Sequence, residues 1–230
     1  MPQKISLKKD AESVLKAYDK MKSYSIQEEL LQSLVKKFPD HKTKDAVEVK
    51  VKLLNLFYST GIQATNAMAD NIVNIKEIDS RLMKGDISLI KEIATLKLKE
   101  NTRYNYSFAT KYCAYHQPEL YPIYDSIVAE TLTSFFEKGL LPKYKLTSKR
   151  SVGDKTLTKG EFAKKLKEYD FFVAVYRYFM EQYDLLDFSY RQVDSYIWGA
   201  FKLPGDEFEI EKMAMLDKKN IKEYSFNSLE

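Results

Sequence analysis

"DISLIKEIATLKLKENTRYNYSFATKYCAYHQPELYPIYDS", residues 86–126, decides the fold. Asp86 or Ser88 caps a helical run, "ISLIKEIATLKL", which stops at the polar break "KENTRYNY". Ser107 then caps "FATKYCAYH", and Pro118 and Pro122 bracket an extended connector. Asp125 or Ser126 caps the next helix, "IVAETLTSFFEKG". The order is helix, short polar hairpin, helix, connector, and an Asp at a new helix start. Lys111 and Asp125 stand 14 residues apart across the connector.

Helical periodicity continues outward in both directions. "DAESVLKAYDKM" places Val14, Leu15 and Tyr18 on one stripe, and "SIQEELLQSLVKKF" does the same with Ile26, Leu30, Leu31 and Leu34. Ser25 followed by Glu28 reads as a capping box, and Pro39 ends that helix. "AVEVKVKLLNLFYS" opens with strand-like alternation and closes with helical spacing; helix is favoured because no strand partner with turn chemistry follows. Gly61 interrupts the chain before "TNAMADNIVNI", and "EIDSRLMKG" is a short helix with Gly85 just past its end. Beyond Pro142 a lysine-rich segment leads into two helices, "KGEFAKKLKEYDFFVAVYRYFMEQY" and "SYRQVDSYIWGAF", the latter ended by Pro204-Gly205. An acidic tail is expected to fray or dock weakly. The pattern predicts an all-α chain of about nine or ten helices.

Composition bounds the chemistry. The chain has 230 residues, 44% apolar and 30% charged, enough for one sizeable core in a soluble domain. The formal charge of +4 does not by itself announce nucleic acid. Lys138 to Lys167, however, holds ten Lys/Arg against two acids, a stretch suited either to phosphates or to a solvated face. With Cys113 as the one cysteine, no internal disulfide and no thiolate metal cluster can form, which suits a reducing, cytoplasmic setting. No apolar run is long enough to span a bilayer, and the start of the chain carries no secretory signal pattern. Seven glycines, with no G-x-G-x-x-G and no P-loop, argue against a nucleotide-binding α/β fold. His41 and His116 are the two histidines, without the local signature of a metalloprotease or hydrolase. No metal and no cofactor is expected.

Read by themselves, the residues of the opening stretch leave two roles open. Asp125 is a favoured N-cap and Lys111 an ordinary amphipathic-helix lysine, while Cys113 is a small buried hydrophobe. The pattern "SFATK…H…P…PIYDS", together with a late "RQVDSYIW" and the early pair "LLNLFYSTGIQATNAMADNI", resembles the helix-hairpin-helix superfamily of DNA glycosylases. Within that superfamily it is most similar to bacterial proteins related to oxidised-guanine repair enzymes. The likeness covers roughly residues 50–135 and, more weakly, 187–201.

The resemblance implies a two-lobed helical bundle: a core over 50–135 and a flanking lobe built from 1–49 and 142–230. It implies base excision from double-stranded DNA, with or without strand cleavage. Lys111 would be the amine that attacks the sugar, and Asp125 the carboxylate that stabilises positive charge on it. Tyr58, Thr60, Arg103, Tyr104, Lys149 and Arg150 would meet the nucleic acid, and Tyr115 and Tyr124 would line a base pocket. Trp198 reads as a core anchor, and Arg191 and Asp194 as ordinary polar contacts. One departure stands out: the hairpin "RYNY" has no glycine where the superfamily brings bare backbone amides to a phosphate. That departure favours the alternative of a non-catalytic module that binds nucleic acid or a protein on the same fold.

Overall fold

The structure is a computed structural model that describes residues 5–146, 155–203 and 208–214. Among the described residues twelve helices carry the fold. They are α1 (Lys8–Tyr18), α2 (Lys22–Lys37), α3 (Lys44–Tyr58), α4 (Thr65–Val73), α5 (Ile78–Met83), α6 (Ser88–Ala94), α7 (Tyr106–His116), α8 (Ser126–Glu137), α9 (Lys159–Lys165), α10 (Tyr169–Gln182), α11 (Tyr190–Lys202) and α12 (Glu209–Ala214). Two antiparallel strand pairs interrupt them: β1 (Thr95–Lys97) with β2 (Thr102–Tyr104), and β3 (Lys145–Leu146) with β4 (Lys155–Thr156). The segment between α6 and α7 is a short β-hairpin that starts inside the run expected to be helical, in register from Thr95 opposite Tyr104 to Lys97 opposite Thr102.

α7 is the central element. Eight of its eleven residues are buried, from Tyr106 through Ala114, so it is covered on every side rather than on one stripe. α6, α3 and α2 pack on it. The ambiguous Val-rich segment is helical, as the periodicity favours: α3 buries Val47, Lys50, Val51 and Leu54 at helical spacing. It ends where Ser59 and Gly61 both take positive φ, 45° and 73°. A second group forms around α8, which packs on α9, α10, α11 and α12, while α1 lies along α11. Leu7 N–H donates to the Tyr183 carbonyl at 2.9 Å, tying the start of the described chain to the end of α10. α2 packs with α3 and α7, and α8 packs with the C-terminal helices.

Four local expectations are corrected. The expected single helix from Lys159 to Tyr183 is two, α9 and α10, because the Leu166 carbonyl is taken by the Tyr106 hydroxyl at 3.2 Å and leaves the helical ladder. α2 begins at Lys22, ahead of Ser25, so Ser25 is not its cap, and Glu28 bonds elsewhere. α7 begins at Tyr106, so Ser107 lies inside it and accepts a bond from Lys111. Part of the tail is a docked helix: α12 buries Ile210 and Ala214, and its Glu209 and Ile210 N–H groups donate to the Asp10 carboxylate.

Candidate functional site

A short connector brings Lys111 and Asp125 together. Thr110 Oγ1 accepts from the Tyr124 N–H at 3.1 Å, so the residue before Asp125 is pinned beside the residue before Lys111. The Tyr121 hydroxyl donates to the Asp86 carbonyl at 3.2 Å, and the Tyr169 hydroxyl to the Pro122 carbonyl at 3.0 Å. These bonds fold the chain back, and a 14-residue separation suffices. Asp125 caps α8 through a 2.9 Å bond from the Val128 N–H. It also lines a cavity of about 240 Å³ that Lys111 lines too. Its two expected roles, cap and site carboxylate, are not exclusive.

The cavity opens between the two helical groups. Its walls come from Tyr18 on α1, Gln27 on α2, Phe57 to Thr60 at the end of α3, Ser107 and Lys111 on α7, the start of α8, and α11. The volume lies just below the roughly 300–1,000 Å³ of drug-sized sites and suits one small group. Tyr18 and Trp198 meet edge to face at 5.9 Å, giving the wall an aromatic corner.

The electrostatics of the site follow from burial. Lys111 is 5% exposed; its ammonium donates to Ser107 Oγ at 2.8 Å and lies 5.7 Å from the centre of the Tyr58 ring. Burial lowers its pKa, while Asp125 and Asp194 pull the other way and Arg191 adds to the lowering. Asp194 is 6% exposed. One of its oxygens accepts from Arg191 at 2.9 Å, and Oδ1, fully buried, has no hydrogen-bond partner. Burial pushes its carboxyl up to about 7, opposed by Arg191 and reinforced by Asp125. Beside the cavity the Glu28 carboxylate takes two bonds from the Arg191 guanidinium and one from the Tyr115 hydroxyl at 2.9 Å. Burial alone would raise Glu28, but the Arg191 charge and its bonds bring it below the usual carboxylate range.

Of the residues expected from sequence, Lys111, Asp125, Tyr58 and Thr60 line this one cavity. Tyr115 and Tyr124 do not. Tyr115 gives its hydroxyl to Glu28, and Tyr124 packs against Tyr106 and Phe172, with ring centres at 4.6 and 5.4 Å. Both rings are engaged within the fold rather than on the wall of this cavity. Arg103 and Tyr104 sit on β2, away from the lining. Arg103 donates to Gln63 at 2.9 Å, and Tyr104 is half exposed, stacked on Tyr106. Lys149 and Arg150 lie outside the described residues. Elsewhere in the basic segment Lys159 pairs with Glu137 and Lys165 with Glu168.

Sequence reading missed the contribution of α11. Arg191, Asp194, Ser195, Trp198 and Lys202 all line the cavity, where Trp198 was expected in the core and Arg191 and Asp194 in ordinary contacts. The available signal was the spacing of Arg191, Asp194 and Trp198 at i, i+3 and i+7, which puts two charges and an indole on one helix face. Cys113 is a buried hydrophobe as expected, its thiol pushed far up by burial. His116 belongs to a separate buried group: its ring lies 4.7 Å from that of His41, and its Nε2 is 3.5 Å from the Lys50 amine. Among the described residues no cluster of three or more His, Cys, Asp or Glu is placed to hold a metal ion, and no helix is long and apolar enough to cross a membrane.

The family model described as "HI_0787_N: N-terminal domain" matches residues 10–120 of this chain. That match takes in Lys111, Tyr58 and Gln27 and stops short of Asp125 and α11. An uncharacterised protein of Haemophilus influenzae (strain ATCC 51907 / DSM 11121 / KW20 / Rd) is 33% identical over 148 residues, covering 64% of this chain and 62% of the relative. The chain thus spans less than two thirds of that relative's own length. No solved structure matches.

Proposed function

We propose that this chain is a DNA base-excision glycosylase with lyase activity, acting on a damaged base in duplex DNA. The observation that carries the reading is that an amine whose proton is loosened by burial shares one small cavity with Asp125. An amine nucleophile must be unprotonated to attack, and desolvation favours that form. A target base would be turned out of the duplex so that its sugar reaches the cavity. As the bond from C1′ to the base lengthens, positive charge grows on the sugar, and the Asp125 carboxylate stabilises it. The Lys111 nitrogen forms a bond to C1′, the base leaves with the bonding pair, and the amine gives up a proton. Opening of the sugar ring then yields a Schiff base, from which the strand is cut. Asp194, whose carboxyl exchanges its proton near neutrality, is suited to hold that proton.

Release of free base from a duplex carrying a single oxidised guanine tests this reading. The wild-type chain is expected to release base, and Asp125→Asn to lose at least about a hundredfold in rate. No release by either protein sinks the proposal.

The hairpin supports a second reading. β1 and β2 close through a bond from the Leu98 N–H to the Asn101 carbonyl, across a turn with no glycine. In that reading the cavity is retained on a module that binds duplex DNA or a protein without turnover. Salt-dependent duplex binding with no base release would favour its DNA-binding form.

A further inference from the structure

Arg191 is, among the described residues, the one guanidinium that lines the cavity, and nearly all its donors are committed. Nε and Nη2 donate to the two oxygens of Glu28, and Nη1 donates to Asp194 at 2.9 Å. Nη2 also reaches the hydroxyls of Tyr58 at 3.1 Å and Tyr115 at 3.0 Å. The guanidinium also lies 5.2 Å from the centre of the Tyr115 ring. So many partners from α2, α3, α7 and α11 leave it no alternative position. The Lys111 amine lies 5.7 Å from the centre of the same Tyr58 ring whose hydroxyl Arg191 holds. Two cations therefore bear on one aromatic side chain.

A guanidinium keeps its charge at any pH the protein meets, whereas an amine need not. Burial is the main force against the charged amine, and repulsion from Arg191 adds to it. Asp125 before α8 and Asp194 on α11 act on Lys111 in the opposite direction. Glu28 on α2 offsets the Arg191 charge. Tyr18 on α1, Tyr58 on α3, Tyr115 on α7 and Tyr176 on α10 are kept neutral by burial. Lys202, at the end of α11, adds a further cation to the lining.

We infer that Arg191, clamped by Glu28, is a positioning residue for Lys111: a fixed cation on the same Tyr58 side chain that, added to burial, keeps the amine free to act as a nucleophile. The inference rests on the proposal that Lys111 is that nucleophile, but its test needs no DNA. Trace acetylation of the full chain by acetic anhydride across pH, with a free amine as internal standard, gives the pH midpoint at which Lys111 becomes reactive, read by mass spectrometry on its peptide. Arg191→Met is expected to raise that midpoint by about one unit, because a repelling cation is gone. Glu28→Gln is expected to lower it by about half a unit, because the Arg191 charge is no longer offset.

The opposite signs are diagnostic. A purely structural ion pair, broken from either side, would loosen the site, hydrate Lys111 and raise the midpoint in both variants. Should Arg191→Met not fold, Glu28→Gln decides alone: a lower midpoint supports the inference, and an unchanged or higher one overturns it. Failure of base release with these shifts intact would remove the glycosylase reading and leave the electrostatic relation standing. Base release without the shifts would do the reverse.

Discussion

Asp194 is the residue on which the site's chemistry turns most sharply. Its Oδ1 is buried without a partner, and its carboxyl titrates at about 7, against about 4 for an exposed Asp. Between those values the folded chain holds a proton that the unfolded chain has released. The stability this adds is complete below about pH 4 and is lost as pH rises through about 7. Asp194→Asn mimics the protonated form. Urea denaturation of the two proteins is therefore expected to show similar stability at low pH and a growing advantage for the variant up to about pH 7–8. A constant difference across that range would remove the titration from the account. A buried polar atom kept without a partner costs stability. Lys111 is the complementary case: it is buried, and its amine is held by one serine hydroxyl.

At the scale of elements, the site depends on α11 being seated against α1. Gly199 is the contact that permits this, since a Cβ there would stand 2.9 Å from Val14 Cγ1. Gly199→Ala is expected to cost about 1–3 kcal/mol in chemical denaturation, through overpacking rather than backbone strain. A stabilised variant, as helix propensity alone would give, would show that the helices separate easily.

The same helix shows what the sequence could and could not tell. Its extent was legible, because its apolar stripe and its Ser189 cap are local. Its role was not, because Glu28 stands 163 residues away in the chain and no local pattern announces that ion pair. The break between α9 and α10 was hidden for a like reason, since the Tyr106 hydroxyl that takes the Leu166 carbonyl comes from 60 residues away. That Lys111 and Asp125 share a cavity was not legible either, because the bonds that fold the connector back come from Thr110, Asp86 and Tyr169. That Tyr115 and Tyr124 turn away from the cavity was not legible, because spacing gives the face of a helix but not the hydroxyl's partner.

At the scale of the whole molecule, two sets of buried charges stand out among the described residues. One surrounds the cavity. The other, distinct from it, joins Lys50, His41 and His116, with His41 Nδ1 2.6 Å from Asp79 and burial bringing Lys50 down to about 8. Burial, followed by the Lys50 charge, holds His116 well below its usual range. A depressed folded-state histidine contributes stability that is present above about pH 6.5 and is lost as pH falls through its folded value. His116→Phe is therefore expected to flatten the acid side of the stability profile while leaving the neutral region little changed. An acid limb as steep as in the wild type would assign the loss to other groups.

The cavity itself joins helices from both ends of the described chain, α1 and α11, to the central α7. Any activity of Lys111 should therefore disappear with global unfolding rather than persist in a fragment. The most direct measurement is borohydride trapping on a duplex with a single abasic site, followed by mapping of the modified peptide. The account predicts a covalent adduct on Lys111 that disappears in Lys111→Ala. No adduct with the wild-type chain, or one undiminished in Lys111→Ala, would contradict it.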